Sequence, residues 1–310
     1  MPSRYPLFDR GKLRIEPLAE RQHLVSLADV LEVGQRPAPF EHPDLPALAG
    51  AMKDARRDGS AIVVMMGAHP IKQGLSRYLI DLIRRGYVSV LAVNGACAIH
   101  DFELARIGAT SESVARYISE GRFGLWKETA ELNDIVAVGR FVAAGNFAHK
   151  DVSIFAAAYE AGVPVTVHVG VGYDIIHQHP NFDGAAAGEA SDRDFLIFTK
   201  VLEGLEGGVV LCLGSAVMGP EVYLKALAMA RNVARQQGRK IARVTSAVFD
   251  LLKLPGDLHA EASKDSPEYY YRPYKTILVR TVADGGRSFY FRGDHRATIP
   301  ALHRLLAEDA

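Results

Sequence analysis

From Leu45 onward the apolar positions follow two alternating patterns. "LPALAGAMKDARRDG" repeats apolar residues at helical spacing and stops at Gly59; "AIVVMM" then runs apolar without a break to Gly67. The alternation continues through a helix "LSRYLIDLIRRG", a strand "VSVLAV", helices "FELARIG" and "SVARYIS", and one longer helix "WKETAELNDIVAVGRFVAAG". Next come a helix "VSIFAAAYEAG", a strand "VPVTVHV", a helix "DRDFLIFTKVLEGL", a strand "GVVLCL" and a helix "PEVYLKALAMARNVARQQG". Strands near "KIARVTSA", "YKTILVRT" and "RSFYF" and a helix "TIPALHRLLAE" close the chain. Apolar strands alternating with amphipathic helices predict an α/β fold with a doubly wound, mostly parallel, Rossmann-like sheet covered on both faces. Ligands of such a sheet bind beyond the carboxyl ends of its strands. Residues 1–43, rich in Pro and charge, read as an N-terminal arm or short strands wrapped on a neighbour, and residues 44–310 as a single nucleotide-binding domain.

Composition narrows the partners. Lys plus Arg equals Asp plus Glu at 36 each, so nothing in the overall balance favours nucleic acid, and a small molecule is the expected ligand. Two cysteines in apolar strand-end contexts, Cys97 and Cys212, suit a reduced compartment. The start has no apolar signal-like core and no segment is long and apolar enough to span a membrane, so a soluble cytoplasmic protein is expected.

The predicted strand ends are rich in small residues and imidazoles: "GAHPIKQG", "NGACAIHDFE", "HVGVGYDIIHQHPNFDG", "GSAVMG", "RTVADGG" and "RGDH". Gly and Ala let backbone approach a ligand, and a helix N-terminus after such a loop offers N–H groups to phosphate; tight strand-to-helix turns also need Gly for themselves. No GxGxxG or Walker sequence follows a strand, which disfavours the ordinary Rossmann and P-loop sites.

The order of "GLSRYLIDLIRRGYVSVLAVNGACAIHDFE", "DVSIFAAAYEAGVPV", "VVLCLGSAV" and "FYFRGDHRATIPAL" resembles the deoxyhypusine synthase family from about Leu45 to the C-terminus. The resemblance implies a homotetramer binding NAD at the carboxyl edge of the sheet. Carried over by position, it implies cofactor contacts at Gly67, Ala68, His69, Gln73 and Gly74, at Asn94, Gly95 and Ala96, and at Thr281 and Asp294. It also puts His100, Asp101 and His177 among the polar active-site positions. The family's lysine-bearing insertion between its last two strands is reduced here to "ADGGRS", so the imine-forming nucleophile is absent and no hypusine-forming activity is expected.

The remaining chemistry centres on imidazoles. His100 and His177, with Asp101, are the candidate acid–base groups beside a hydride acceptor, and Asp174, His179 and Glu189 in the divergent Gly170–Ser191 stretch are candidate substrate contacts. A loop His can equally cap a helix or bond a carbonyl. Cys97 is either a thiolate nucleophile beside His100 or a small buried hydrophobe. Three readings stand: an NAD-dependent enzyme acting on a small polar, possibly amine-bearing metabolite, a non-catalytic nucleotide sensor, and a metal-dependent hydrolase using His177 and His179.

Overall fold

Six strands form one sheet: β1 (Ile62–Met66), β2 (Val90–Val93), β3 (Val165–Val167), β4 (Val209–Leu213), β5 (Thr245–Asp250) and β6 (Arg287–Arg292). The computed structural model, which describes residues 4–35 and 38–308, pairs them in the order β3-β2-β1-β4-β5-β6, every pair parallel. The sheet therefore winds outward in both directions from β1 and β4, and the crevice beyond their carboxyl ends is the topological switch point.

Both faces of the strands are covered. Ile62, Val64, Met66, Leu211 and Leu213 face one core with Leu48 and Met52 of α1 (Leu45–Asp58), Leu79 of α2 (Ser76–Arg84) and Leu104 of α3 (Gly95–Ile107). Ile154 of α4 (Ile154–Glu160) joins the same core. Val63, Met65, Val210 and Cys212 face the other, with Phe198 and Leu202 of α5 (Gly184–Leu202) and Tyr223 and Leu227 of α6 (Met218–Gln236). Each large aliphatic side chain so buried contributes about 1.5–3 kcal/mol, which is why every residue of β1, β2 and β4 is apolar. α7 (His295–Ala307) closes the first face through Ile299 and Leu302.

Three elements differ from the sequence expectation. "YKTILVRT" is a helix, Pro273–Arg280, with a π-type turn in which the Thr281 N–H donates to the Thr276 carbonyl. A short run with β-branched Thr276, Ile277 and Val279 reads alike as a buried strand or a buried helix, and Pro273 at the first helical turn settles it. The long helix expected over 126–145 breaks into Lys127–Ala130, a 3-10 turn Glu131–Asp134 and Val138–Ala144. Near the break, the Asn133 amide donates to the Ile176 carbonyl and to Asn181, tying the 3-10 turn to the segment after β3. "NGACAIHDFE" is not a loop, because Asn94 caps α3 directly at the end of β2, its side chain accepting from the Cys97 N–H.

Residues ahead of α1 pack on this same chain. Val25–Ser26 pairs antiparallel with Ala109–Thr110, Leu18 joins Tyr117 and Trp126, and the Arg21 guanidinium lies within 2.7 Å of Glu103 in α3. Residues 1–3, 36 and 37 of the expected arm lie outside the described residues.

Candidate functional site

At the switch point the backbones after β1 and β4 approach so closely that only glycine fits. A Cβ on Gly67 would stand 2.8 Å from the Gly214 carbonyl oxygen, and one on Gly214, whose φ is +61°, would stand 2.8 Å from Cε1 of His295. His69 opens the short helix after β1 and His295 opens α7 after β6, so both imidazoles reach this crevice, ring centroids 5.4 Å apart. His295 Nε2 lies 3.3 Å from the Phe249 carbonyl and donates to it. In the neutral ring that leaves Nδ1 as an acceptor, and it is buried without a partner. Burial lowers the His295 pKa, so the ring is neutral. An orphaned acceptor above a glycine cradle is a place for a ligand N–H or O–H.

A second polar centre stands one strand over, at the N-terminus of α3. The Asp174 carboxylate lies against Gly95, where any Cβ would collide with it, and accepts the Ala96 N–H. Burial outweighs that bond and raises the Asp174 pKa to about 6. His177 Nδ1 accepts the N–H groups of Gly172 (3.1 Å) and Asp174 (3.2 Å), so its neutral ring carries the proton on Nε2, and burial lowers its pKa. Gly95 and His177 border a cavity of about 150 Å³ between the ends of β2 and β3, the 132–138 segment and α5. On its α5 wall, Asp194 accepts the Val167 N–H at 2.7 Å and Ser191 bonds Val169 and Val167, so side chains satisfy the backbone of the outer strand.

Other sequence candidates fall elsewhere. Asp101, wholly buried, accepts from the Ser153 hydroxyl (2.5 Å) and the Ile154 N–H (2.6 Å), holding Ser153, the cap of α4, in place; burial raises its pKa to about 7. His100 turns to Thr110 (2.7 Å), whose hydroxyl donates to Glu103, and burial pushes the imidazole down to about 4. The two neighbours in sequence thus serve separate packing networks. Gly74, at φ +73°, lies against the Asp29 carbonyl, the Gln73 carbonyl accepts from Arg296, and the Gly74 carbonyl accepts the Leu31 N–H, so this end of the first loop anchors the N-terminal segment. Ala68 lies between Gly67 and His69 in the crevice loop. Asp294 caps α7, accepting from Arg296 N–H at 2.7 Å. Thr281 lies at the opposite, amino edge of the sheet, ahead of β6, because the segment before it is helical. Glu189 is exposed and paired with Arg193.

His179 points away from His177: its Nε2 donates to the Gly124 carbonyl at 2.8 Å, and its Nδ1 is buried without a partner. No group of three or more His, Cys, Asp or Glu among the described residues is placed to hold a metal. Cys97 is buried and its thiol pKa is driven far up by desolvation, which leaves it a packing residue. No helix among the described residues is long and apolar enough to cross a membrane. Sequence reasoning singled out neither Gly214 nor Asp194. The first sits in a small-residue loop like five others, and the second in a helix whose contact with the edge strand no local pattern announces.

The fold and this crevice define a Rossmann-fold protein. Residues 46–182 match the family model described as arginine dihydrolase ArgZ-like, C-terminal, Rossmann fold. A search of the curated proteins finds no match. Among solved structures the chain is similar to ArgZ, an arginine dihydrolase from the ornithine-ammonia cycle in cyanobacteria (18% identity, TM-score 0.53, 87% of this chain and 34% of that one). It is similar to AgrE in ternary complex with ornithine and NAD+ (16% identity, TM-score 0.53, 86% and 33%). A LOR/SDH protein from Methanococcus maripaludis S2 is a further neighbour (13% identity, TM-score 0.53, 89% and 73%). This chain thus spans about a third of the length of ArgZ and AgrE. These findings overturn the resemblance to deoxyhypusine synthase. The segments that carried it are strand-and-helix punctuation common to a doubly wound sheet, and the late strand it required is the helix Pro273–Arg280.

Proposed function

We propose that this chain is an NAD-binding enzyme that acts on an amino acid, with the dinucleotide in the switch-point crevice. The observation that carries the reading is the contact of Gly67 and Gly214 beneath the unpartnered Nδ1 of His295, a cradle that a Cβ would fill. The likeness to AgrE, whose structure holds NAD+ and ornithine, supports it. Gly67, Ala68 and Gly214 would hold the dinucleotide through close backbone approach, and His69 and His295 through their imidazoles. When bound, NAD supplies a hydride acceptor. Asp174, with its pKa raised to about 6, is the group placed to take a proton from a substrate ammonium or hydroxyl near neutral pH. His177, holding its proton on Nε2, orients the substrate by donating a hydrogen bond rather than by acting as a base. The test is NADH formation on a panel of amino acids by the wild type and by Asp174→Asn. Turnover lowered about 10²–10⁴-fold in the variant, with NAD affinity unchanged, supports the assignment, and equal turnover contradicts it.

A further inference from the structure

The cavity beside Gly95 is assigned no role by the geometry of the crevice, and its chemistry differs from the crevice's. Most of its lining is apolar, Ala98, Ile135, Val138, Val167, Val169 and Ala190 among it, with Asn133 and Ser191 as neutral polar groups. No Lys or Arg lines it, while Asp183 and Asp194 do. An anionic group is therefore repelled from it. Both carboxylates already serve backbone groups. Asp194 accepts the Val167 N–H, and Asp183 accepts the N–H groups of Ala185 and Ala186 at the start of α5. At about 150 Å³ the space is that of an apolar cavity able to enclose a six-carbon ring. Its polar end is Gly95 and His177, next to the Asp174 carboxylate.

We propose that this cavity receives the side chain of an aliphatic amino acid of valine or leucine size, its α-ammonium group toward Asp174. The proposal rests on the reading of the chain as an amino-acid enzyme and names its substrate class. It sets this chain apart from ArgZ and AgrE, whose names and complexes carry arginine and ornithine with cationic side chains. Burying the aliphatic group removes apolar surface from water at both partners; a second ammonium would be drawn to Asp183 and Asp194 at the α5 wall but would give up its hydration against the apolar remainder of the lining, with both carboxylates already accepting backbone N–H groups.

The experiment is calorimetric titration of the full chain with L-leucine, L-valine, L-ornithine and L-glutamate, and separately with NAD. It uses the wild type, Ala190→Phe and Val169→Ala. Ala190 is half-buried on α5 and opens toward solvent, so Phe fills the cavity from outside without entering the sheet core. Val169→Ala enlarges the cavity. The expected result is leucine or valine binding at least about tenfold tighter than ornithine or glutamate, the scale on which a hydrocarbon pocket discriminates. That preference is lost in Ala190→Phe with NAD affinity unchanged, and moves toward the larger side chain in Val169→Ala. Ornithine binding as tightly as leucine, or leucine binding untouched by Ala190→Phe, overturns the proposal, as does no amino acid binding at all. Leucine binding that Ala190→Phe abolishes in a chain that binds no NAD keeps the cavity assignment and defeats the cofactor reading instead.

Discussion

Gly67 and Gly214 stand at the ends of β1 and β4 in such close approach that a Cβ on the first would lie 2.8 Å from the carbonyl oxygen of the second. The contact continues the pairing of the two strands one residue past Met66 and Leu213: the Gly67 N–H donates to the Leu213 carbonyl and the Gly214 N–H to the Phe249 carbonyl. It leaves the rim of the switch point as bare backbone, with half-buried His69 and buried His295 beside it.

Gly214 is held at φ +61°, and Ala there also meets His295. Gly214→Ala is expected to cost about 1–3 kcal/mol of stability, the usual scale for a left-handed non-glycine residue. Urea unfolding of the variant beside the wild type checks it, with Gly238→Ala, also at positive φ but with nothing within 4 Å of its Cβ, losing less.

Asp101, from α3, accepts the Ser153 hydroxyl and the Ile154 N–H at the start of α4, whose own cap is Ser153. Asp101→Ala leaves those buried donors unsatisfied and should lower stability by about 1–3 kcal/mol while leaving NAD affinity as it was. A variant that folds normally but loses cofactor binding would return Asp101 to the functional site.

Arg21 and Glu103 form a bidentate pair at 2.9 and 2.7 Å, both side chains buried, with Thr110 and Thr129 also donating to the carboxylate. Removing one charge strands the other, so Arg21→Met should destabilise by about 3–5 kcal/mol. The double variant Arg21→Met with Glu103→Met should recover much of that loss. Denaturant midpoints of the three variants decide the matter.

Two pH effects follow from burial. His168 is held neutral inside the fold, its pKa lowered to about 4 by desolvation, while in the unfolded chain it titrates near 6.5. Its neutral form contributes stability above about pH 6.5 that is lost as the pH falls toward 4, on the order of 3 kcal/mol at the limit. His168→Gln should flatten the stability profile in that window. On the proposed function, the effect of Asp174 is on activity instead. As a base with a pKa near 6 it works only when ionised, so kcat/KM should fall as the pH drops through about 6 and the limb should vanish in Asp174→Asn.

The alternation of apolar runs and amphipathic stretches places β1, β2 and β4 cleanly, because a strand buried on both faces leaves an unbroken apolar signature, while β5 begins at Thr245, late in the run expected near 240–247, and β6 mixes buried and exposed positions. It misreads Tyr274–Thr281, since a segment whose apolar core is only Ile277, Leu278 and Val279 carries no period that separates strand from helix. The site was legible only in part. Gly67 and His69 stand out from the composition of the first loop, and Asp174 and His177 from the divergent stretch after β3. The partners that give them meaning come from far along the chain: Gly214 and His295 meet Gly67 and His69 only through the strand order, and Asp194 reaches the outer strand from a helix. His100 and Asp101 stand apart from the crevice for a local reason. Asn94 starts a helix at once, and that helix turns both residues into the packing behind the rim.

Calorimetric titration of the full chain with NAD, beside Gly67→Val, tests the central claim most directly. The variant's fold is checked by its unfolding transition. Micromolar binding by the wild type that falls by at least about a hundredfold in a folded variant is the predicted result, since a branched side chain would close the cradle over the Gly214 carbonyl. Equal binding by both proteins, or none by the wild type, would contradict a dinucleotide site at the switch point.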